Sequence, residues 1–207
     1  MVPIGVLASG RGSNLKAVLD AVDNHYLTKC EVKIVVTNRP NAPALEVAKK
    51  HYVETITLDD KGVPKRTWDY DQKTIAALQS RGVTPKTGFI VLAGYLRILS
   101  EQFVDLYPRR IINVHPALLP SFPGLEAQKQ ALDQGVKVTG CTVHFVDREV
   151  DHGPIILQTP VAIRDDDTVE TLSGRILREE HRILPEAIRL LTEDQLKVDG
   201  KRVHFKD

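Results

Sequence analysis

Apolar positions along the chain recur in two alternating arrangements, short continuous runs and runs at helical spacing. Val2 to Ala8 is a continuous run of strand length, and Leu15, Val18, Leu19 and Val22 then recur at helical spacing. Between them lies the Gly-rich segment Ser9-Gly10-Arg11-Gly12-Ser13-Asn14, so the pattern predicts strand, tight turn, helix. Val32 to Thr37 predicts a second buried strand, Asn38-Arg39-Pro40 a turn, Ala44 to Lys50 a short helix, and Val53 to Leu58 a shorter strand. Trp68 to Gln79 reads as a helix ending near Gly82, and Phe89 to Ala93 as a fourth apolar strand. Strands that alternate with helices imply βαβ units and a parallel sheet. The expected fold class is therefore α/β, a mostly parallel twisted sheet flanked by helices.

Beyond Gly94 the spacing loosens. A short helix is expected over Glu101 to Tyr107 and a strand over Ile111 to Val114, followed by Pro116, Pro120 and Pro123 in a shaped loop. Gly124 to Gln134 can form a helix, while Thr139 to Val146 and Ile155 to Ile163 read as two long strands, antiparallel across Asp147 to Gly153. Asp167 and Glu170 suggest a capping box for a last helix, Val169 to Leu191, which Pro185 should kink or divide. No repeat, linker or low-complexity tract interrupts the pattern, so a single domain over 1–207 is expected.

Composition narrows the function. Hydrophobic residues make up 42% and charged residues 27%, which excludes disordered and collagen-like chains. Lys and Arg (28) nearly balance Asp and Glu (27), leaving a formal charge of +1. No global field is available for nucleic acid or an anionic membrane, so an anion must be bound locally. The two cysteines, Cys30 and Cys141, have no partners at metal-ligand spacing. With no secretory pattern at the start and no apolar stretch of about 18 residues, a reducing, cytoplasmic setting is expected.

In an α/β sheet, ligands gather at the carboxyl ends of the strands. Three unusual segments are expected there: Gly10 to Asn14, Asn113 to Pro123, and Asp147 to Gly153. Gly10 and Gly12 allow close approach of another group, and Ser13 and Asn14 bring donors to a helix N-terminus, a cup suited to phosphate. The spacing matches neither a dinucleotide fingerprint nor a Walker loop, and a plain turn with Ser as N-cap also accounts for it. Asn113 and His115 are two residues apart at a strand end, on one face. An imidazole that titrates near neutrality beside a neutral amide donor suits stabilisation of a developing oxyanion. Asp151, in Asp151-His152-Gly153-Pro154, can hold the tautomer of that imidazole and favour its protonated form, or simply shape a turn. His144 can face the site or satisfy a buried bond. No metal-ligand spacing, serine elbow or activated thiol accompanies these groups, so neither a metal nor a covalent nucleophile is expected.

Over nearly its whole length the chain resembles the phosphoribosylglycinamide formyltransferases, folate-dependent enzymes of purine synthesis. The likeness runs through Ala8-Ser9-Gly10-Arg11-Gly12-Ser13-Asn14-Leu15, Val91 to Leu99, Asn113-Val114-His115-Pro116, and Val143-His144-Phe145-Val146 leading to Asp151-His152-Gly153-Pro154. The resemblance implies a formyltransferase fold with a Rossmann-like, phosphoribosyl-binding half over 1–100 and a catalytic, folate-binding half over 101–207. It implies Asn113, His115 and Asp151 as the catalytic trio, with Gly12, Ser13, Asn14 and Glu180 on the ribonucleotide. Arg66 (or Lys65), Leu96, Arg97, Ile98, Leu99, Asn113 and Val146 would line the folate site. The cosubstrate would be 10-formyltetrahydrofolate, without metal, in a monomer or homodimer that acts on small molecules and engages neither nucleic acid nor membrane. Ala117 departs from the family's usual Ser, and Leu177 stands where some relatives carry Lys.

Three other readings share these features. Methionyl-tRNA formyltransferases add an RNA-binding domain and a basic surface, and formyltetrahydrofolate hydrolases add a regulatory domain ahead of the core. A nucleotide-binding module would keep the His and Asp as structural residues only.

Overall fold

The computed structural model describes residues 1–206. The chain divides into two units, Met1–Asn113 and Val114 onward. The boundary falls inside one strand.

The first unit is built on a parallel sheet with strand order β3-β2-β1-β4-β5. Its strands are β1 (Val2–Leu7), β2 (Cys30–Thr37), β3 (Thr55–Thr57), β4 (Phe89–Leu92) and β5 (Ile111–His115), whose last two residues pass into the second unit. Ile4, Val6, Leu7, Ile34, Val35, Val36, Ile90 and Val91 are buried, which is why these strands read as unbroken apolar runs. Helices α1 (Ser13–Asp23), α2 (Ala44–Lys50), α3 (Trp68–Gln79) and α4 (Glu101–Leu106) form the crossovers and local supports. Leu15, Val18 and Leu19 form the buried stripe of α1, and each such side chain contributes roughly 1.5–3 kcal/mol through burial. The order reverses between β1, which leads outward to β2, and β4. The connections leaving the carboxyl ends of those two strands therefore flank the crevice in which open α/β sheets bind ligands.

In the second unit, β6 (Val138–Phe145) and β7 (Ile155–Ala162) pair antiparallel, with a register shift between Val143 and His144. Helices α5 (Ala127–Asp133) and α6 (Val169–Thr192) complete it. Helix α6 continues through Pro185, so the expected division does not occur. The capping box lies one residue later than read: Thr168 and Thr171 cap each other reciprocally. Asp167 instead receives hydrogen bonds from Arg175, the Arg164 N–H and the Thr171 hydroxyl, which hold its carboxyl well below the usual range. A final hairpin, β8 (Leu196–Asp199) and β9 (Arg202–Phe205), was not foreseen. Its signal was present in Asp199-Gly200 between alternating apolar residues, a strong short-range hairpin pattern.

Among the described residues, no helix is long and apolar enough to cross a membrane. Nor is any group of three or more His, Cys, Asp or Glu side chains among these described residues placed to hold a metal ion.

Candidate active site

The turn after β1 is built to expose backbone donors. Gly12, at φ 77°, is the N-cap of α1, and no side chain caps the helix. A helix start left open in this way presents N–H groups and the positive end of the helix dipole to an anion. The reading of Ser13 as a capping residue is therefore replaced: Ser13 is the first helical residue. A Cβ at Gly12 would lie 2.7 Å from the Ala44 Cα, so both the conformation and the space demand glycine.

Gly94 to Ser100 leaves the end of β4. Leu96 is exposed, Arg97 and Leu99 are buried, and Ile98 is intermediate. The Arg97 side chain points inward. Its guanidinium stacks over the Tyr70 ring at 4.0 Å, donates to the Pro64 carbonyl at 2.7 Å, and lies 3.7 Å from the Asp60 carboxylate and 3.9 Å from Asp71. Arg66 is exposed, donates its N–H to the Ile98 carbonyl at 3.1 Å, and directs its side chain towards Glu101 at 3.9 Å.

The second unit brings His115 and Asp151 together. The Nδ1 of His115 lies 3.3 Å from Asp151 Oδ2, and its Nε2–H donates to the Phe122 carbonyl at 2.8 Å. Asp151 sits in the left-handed region at φ 53° and accepts the Gly124 N–H at 2.8 Å. His144 approaches its other oxygen at 3.7 Å. At Gly153 a Cβ would lie 1.9 Å from the Phe145 carbonyl oxygen, so the connection that carries Asp151 closes against the end of β6.

The electrostatics follow from this packing. Burial holds the His115 imidazole below its ordinary value. Asp151 and the Phe122 carbonyl oppose that, but do not overcome it. Asp151 thus favours the imidazolium, as expected of a carboxylate beside the ring, and burial outweighs it. A neutral ring carries one N–H, which the Phe122 carbonyl claims, so the Nδ1 lone pair faces the carboxylate. A proton taken up there is shared with Asp151. Burial also raises the Asp151 carboxyl, but His144, His115 and the Gly124 N–H outweigh it and hold the group below the usual carboxylate range.

Asn113 precedes His115 by two residues on β5, on the same face by strand alternation. Glu180 is buried on α6, and Val146 follows β6 at intermediate exposure. Burial pushes the Cys141 thiol up to about 12, which suits a structural residue and not a thiolate. The sequence reading missed Ser9, Asn38, Asp60, Tyr70 and Asp71, the partners assembled around Gly94 to Ser100. Separations of 22 to 87 residues hide such contacts from local pattern.

The formyl transferase family matches residues 3–188. The phosphoribosylglycinamide formyltransferase of Escherichia coli (strain K12) is 37% identical over 207 residues, covering 97% of this chain and 95% of that protein. The trifunctional purine biosynthetic protein adenosine-3 of Drosophila pseudoobscura pseudoobscura is 43% identical over 195 residues. That alignment takes in 94% of this chain, which spans 14% of the relative's length. The crystal structure of glycinamide ribonucleotide transformylase 1 from Symbiobacterium toebii matches with a TM-score of 0.94 at 47% identity, covering 100% of this chain and 95% of that one. These likenesses agree with the α/β fold, a mostly parallel sheet flanked by helices. With a matched segment that spans most of its length and a bacterial phosphoribosylglycinamide formyltransferase covered almost end to end, the chain belongs to the formyl transferase family, among the phosphoribosylglycinamide formyltransferases.

Proposed function

We propose that the chain transfers the formyl group of 10-formyltetrahydrofolate to the amine of N1-(5-phosphoribosyl)glycinamide. The observation that carries this reading is the His115–Asp151 pair, with His115 two residues beyond Asn113 on β5, in a chain of this family. On this reading the open first turn of α1, with Gly12, Ser13 and Asn14, receives the phosphate, and Glu180 receives the rest of the ribonucleotide. Leu96, Ile98, Leu99 and Val146 form the folate wall, with Arg66 as a basic group on that side.

The chemistry needs two things, a donor where negative charge grows and a place for one proton. The amine attacks the formyl carbon, and the Asn113 amide donates to the formyl oxygen as it becomes an oxyanion. That growing charge raises the proton affinity of His115, which burial lowers. The proton released by the attacking amine enters the His115–Asp151 pair and leaves with N10 as the carbon–N10 bond breaks. Atoms and charge balance without a covalent enzyme intermediate. The same reading has the chain working in the cytoplasm on two small molecules, as monomer or homodimer, and active in the presence of EDTA.

The test is loss of 10-formyltetrahydrofolate followed with the ribonucleotide, without it, and with methionyl-tRNA as acceptor. Turnover only with the ribonucleotide is the expected result. Turnover without any acceptor would make the chain a hydrolase, turnover only with methionyl-tRNA would change the acceptor, and nucleotide binding without any turnover would leave a binding module.

A further inference from the structure

Gly94 to Ser100 has no ladder of its own; distant groups of the first unit hold its backbone. Ser9 N–H donates to the Gly94 carbonyl at 3.0 Å, Leu96 N–H to the Ser9 hydroxyl at 2.8 Å, and Ser100 N–H to the Asp71 carboxylate at 2.6 Å. The Ser9 hydroxyl donates in turn to Asn38 Oδ1 at 2.5 Å, and the Asn38 amide to Asp60 Oδ2 at 2.8 Å. That oxygen lies 3.7 Å from Arg97, which adjoins Leu96 in the chain. Ser9, Asn38, Asp60, Arg97 and Leu96 thus form a closed circuit of polar contacts, in which Asn38 is fully buried and Arg97 is 3% exposed.

A buried charge held among polar partners is poor evidence for stability, because an apolar replacement of similar volume often serves as well. Its effect is geometric: satisfied networks hold one arrangement of the groups they contain. Here the held group is the backbone that displays Leu96, an apolar side chain 56% exposed. We propose that Asn38 and Asp60 are positioning residues for the folate substrate, acting through Ser9 and Arg97 to fix residues 96–99. Arg97 then serves through its inward side chain and not by touching substrate. The inference rests on the reading of this segment as the folate wall.

The test uses Asn38→Ala, the near-isosteric Asp60→Asn, and Arg97→Met. Calorimetric titration with tetrahydrofolate and steady-state kinetics are the readouts. Both Asn38→Ala and Asp60→Asn are expected to raise the tetrahydrofolate Kd and the 10-formyltetrahydrofolate KM by about five- to tenfold, the scale of one buried hydrogen bond. The ribonucleotide KM and kcat should stay within about twofold, a split that a general loss of stability does not produce. Arg97→Met should match Asn38→Ala. Unchanged folate constants in folded Asn38→Ala and Asp60→Asn, or an Arg97→Met effect at least tenfold beyond theirs, would overturn the proposal. Hydrogen exchange on the unaltered protein is independent of variant folding: the Leu96 amide should exchange slowly, and fast exchange counts equally against the proposal. If the unaltered protein neither binds tetrahydrofolate nor transfers formyl, the functional reading itself fails. Normal wild-type activity with indifferent variants overturns this inference alone.

Discussion

His115 and Asp151 meet at 3.3 Å although 36 residues separate them, and the carboxylate is held by the Gly124 N–H on one oxygen and approached by His144 on the other. Each group is thereby fixed where a proton can be taken up and returned. His115→Ala and Asp151→Asn are each expected to lower kcat by on the order of 10² or more, the size of acid–base and oxyanion contributions. Ribonucleotide affinity by calorimetry should change by less than about twofold. Near-normal turnover in folded variants would remove the proton role.

The same pair makes stability depend on pH. The folded pKa of His115 lies below its unfolded value of about 6.5, so its contribution is fully present above that pH and is lost as pH falls through the folded value. Asp151 is also depressed, and its contribution begins to fade below an unfolded value of about 3.9. In both cases the unfolded chain binds more protons, so stability falls with acid. Thermal denaturation between pH 8 and pH 5 should show Tm declining below about pH 6.5, and His115→Gln should flatten that part of the curve. An unchanged slope in the variant would assign the titration elsewhere.

Gly12→Ala combines a left-handed backbone with a Cβ 2.7 Å from Ala44 Cα. The conformation alone costs roughly 1–2 kcal/mol, equivalent to a Tm loss of about 2–8 °C for a chain of this size, and the clash adds to it. Ribonucleotide affinity should fall at the same time. A variant with unaltered melting and affinity would show that the turn tolerates a side chain.

Glu180 is buried, so a role towards the ribonucleotide depends on its charge being met by a donor. Glu180→Gln keeps the shape and removes the charge. It is expected to weaken ribonucleotide binding on the order of tenfold, within the range of hydrogen bonds to charged groups, and to leave tetrahydrofolate binding unchanged. Loss of folate binding instead would move Glu180 to the other substrate.

The parallel strands were legible because burial on both faces leaves uninterrupted apolar runs, as in Val2 to Leu7 and Phe89 to Leu92. The shaped turn at Gly12 was legible because few residues other than glycine reach φ 77°. Asp151 at φ 53° carries no such mark: an aspartate in the left-handed region looks like any turn residue until its contacts are known. The net lowering of the His115 proton affinity was hidden for a related reason, since a neighbouring carboxylate is visible in a motif and burial is not. The final hairpin was missed although Asp199-Gly200 announced it, and the inward course of the Arg97 side chain was hidden because neither Asp60 nor Tyr70 is near it in sequence.

The turn that carries Gly12 rests on the first residue of α2, and the obstruction runs in both directions. Ala44 is fully buried and donates its N–H to the Gly10 carbonyl at 3.2 Å. Position 44 thus lacks room to grow for the same reason that position 12 does. A library randomised at these two sites together should return only pairs of the smallest residues, whichever end of the contact the selection favours. The shape of this turn is encoded by a pair of residues 32 positions apart, and transplanting the glycine-rich segment alone into another sheet would leave behind half of what shapes it.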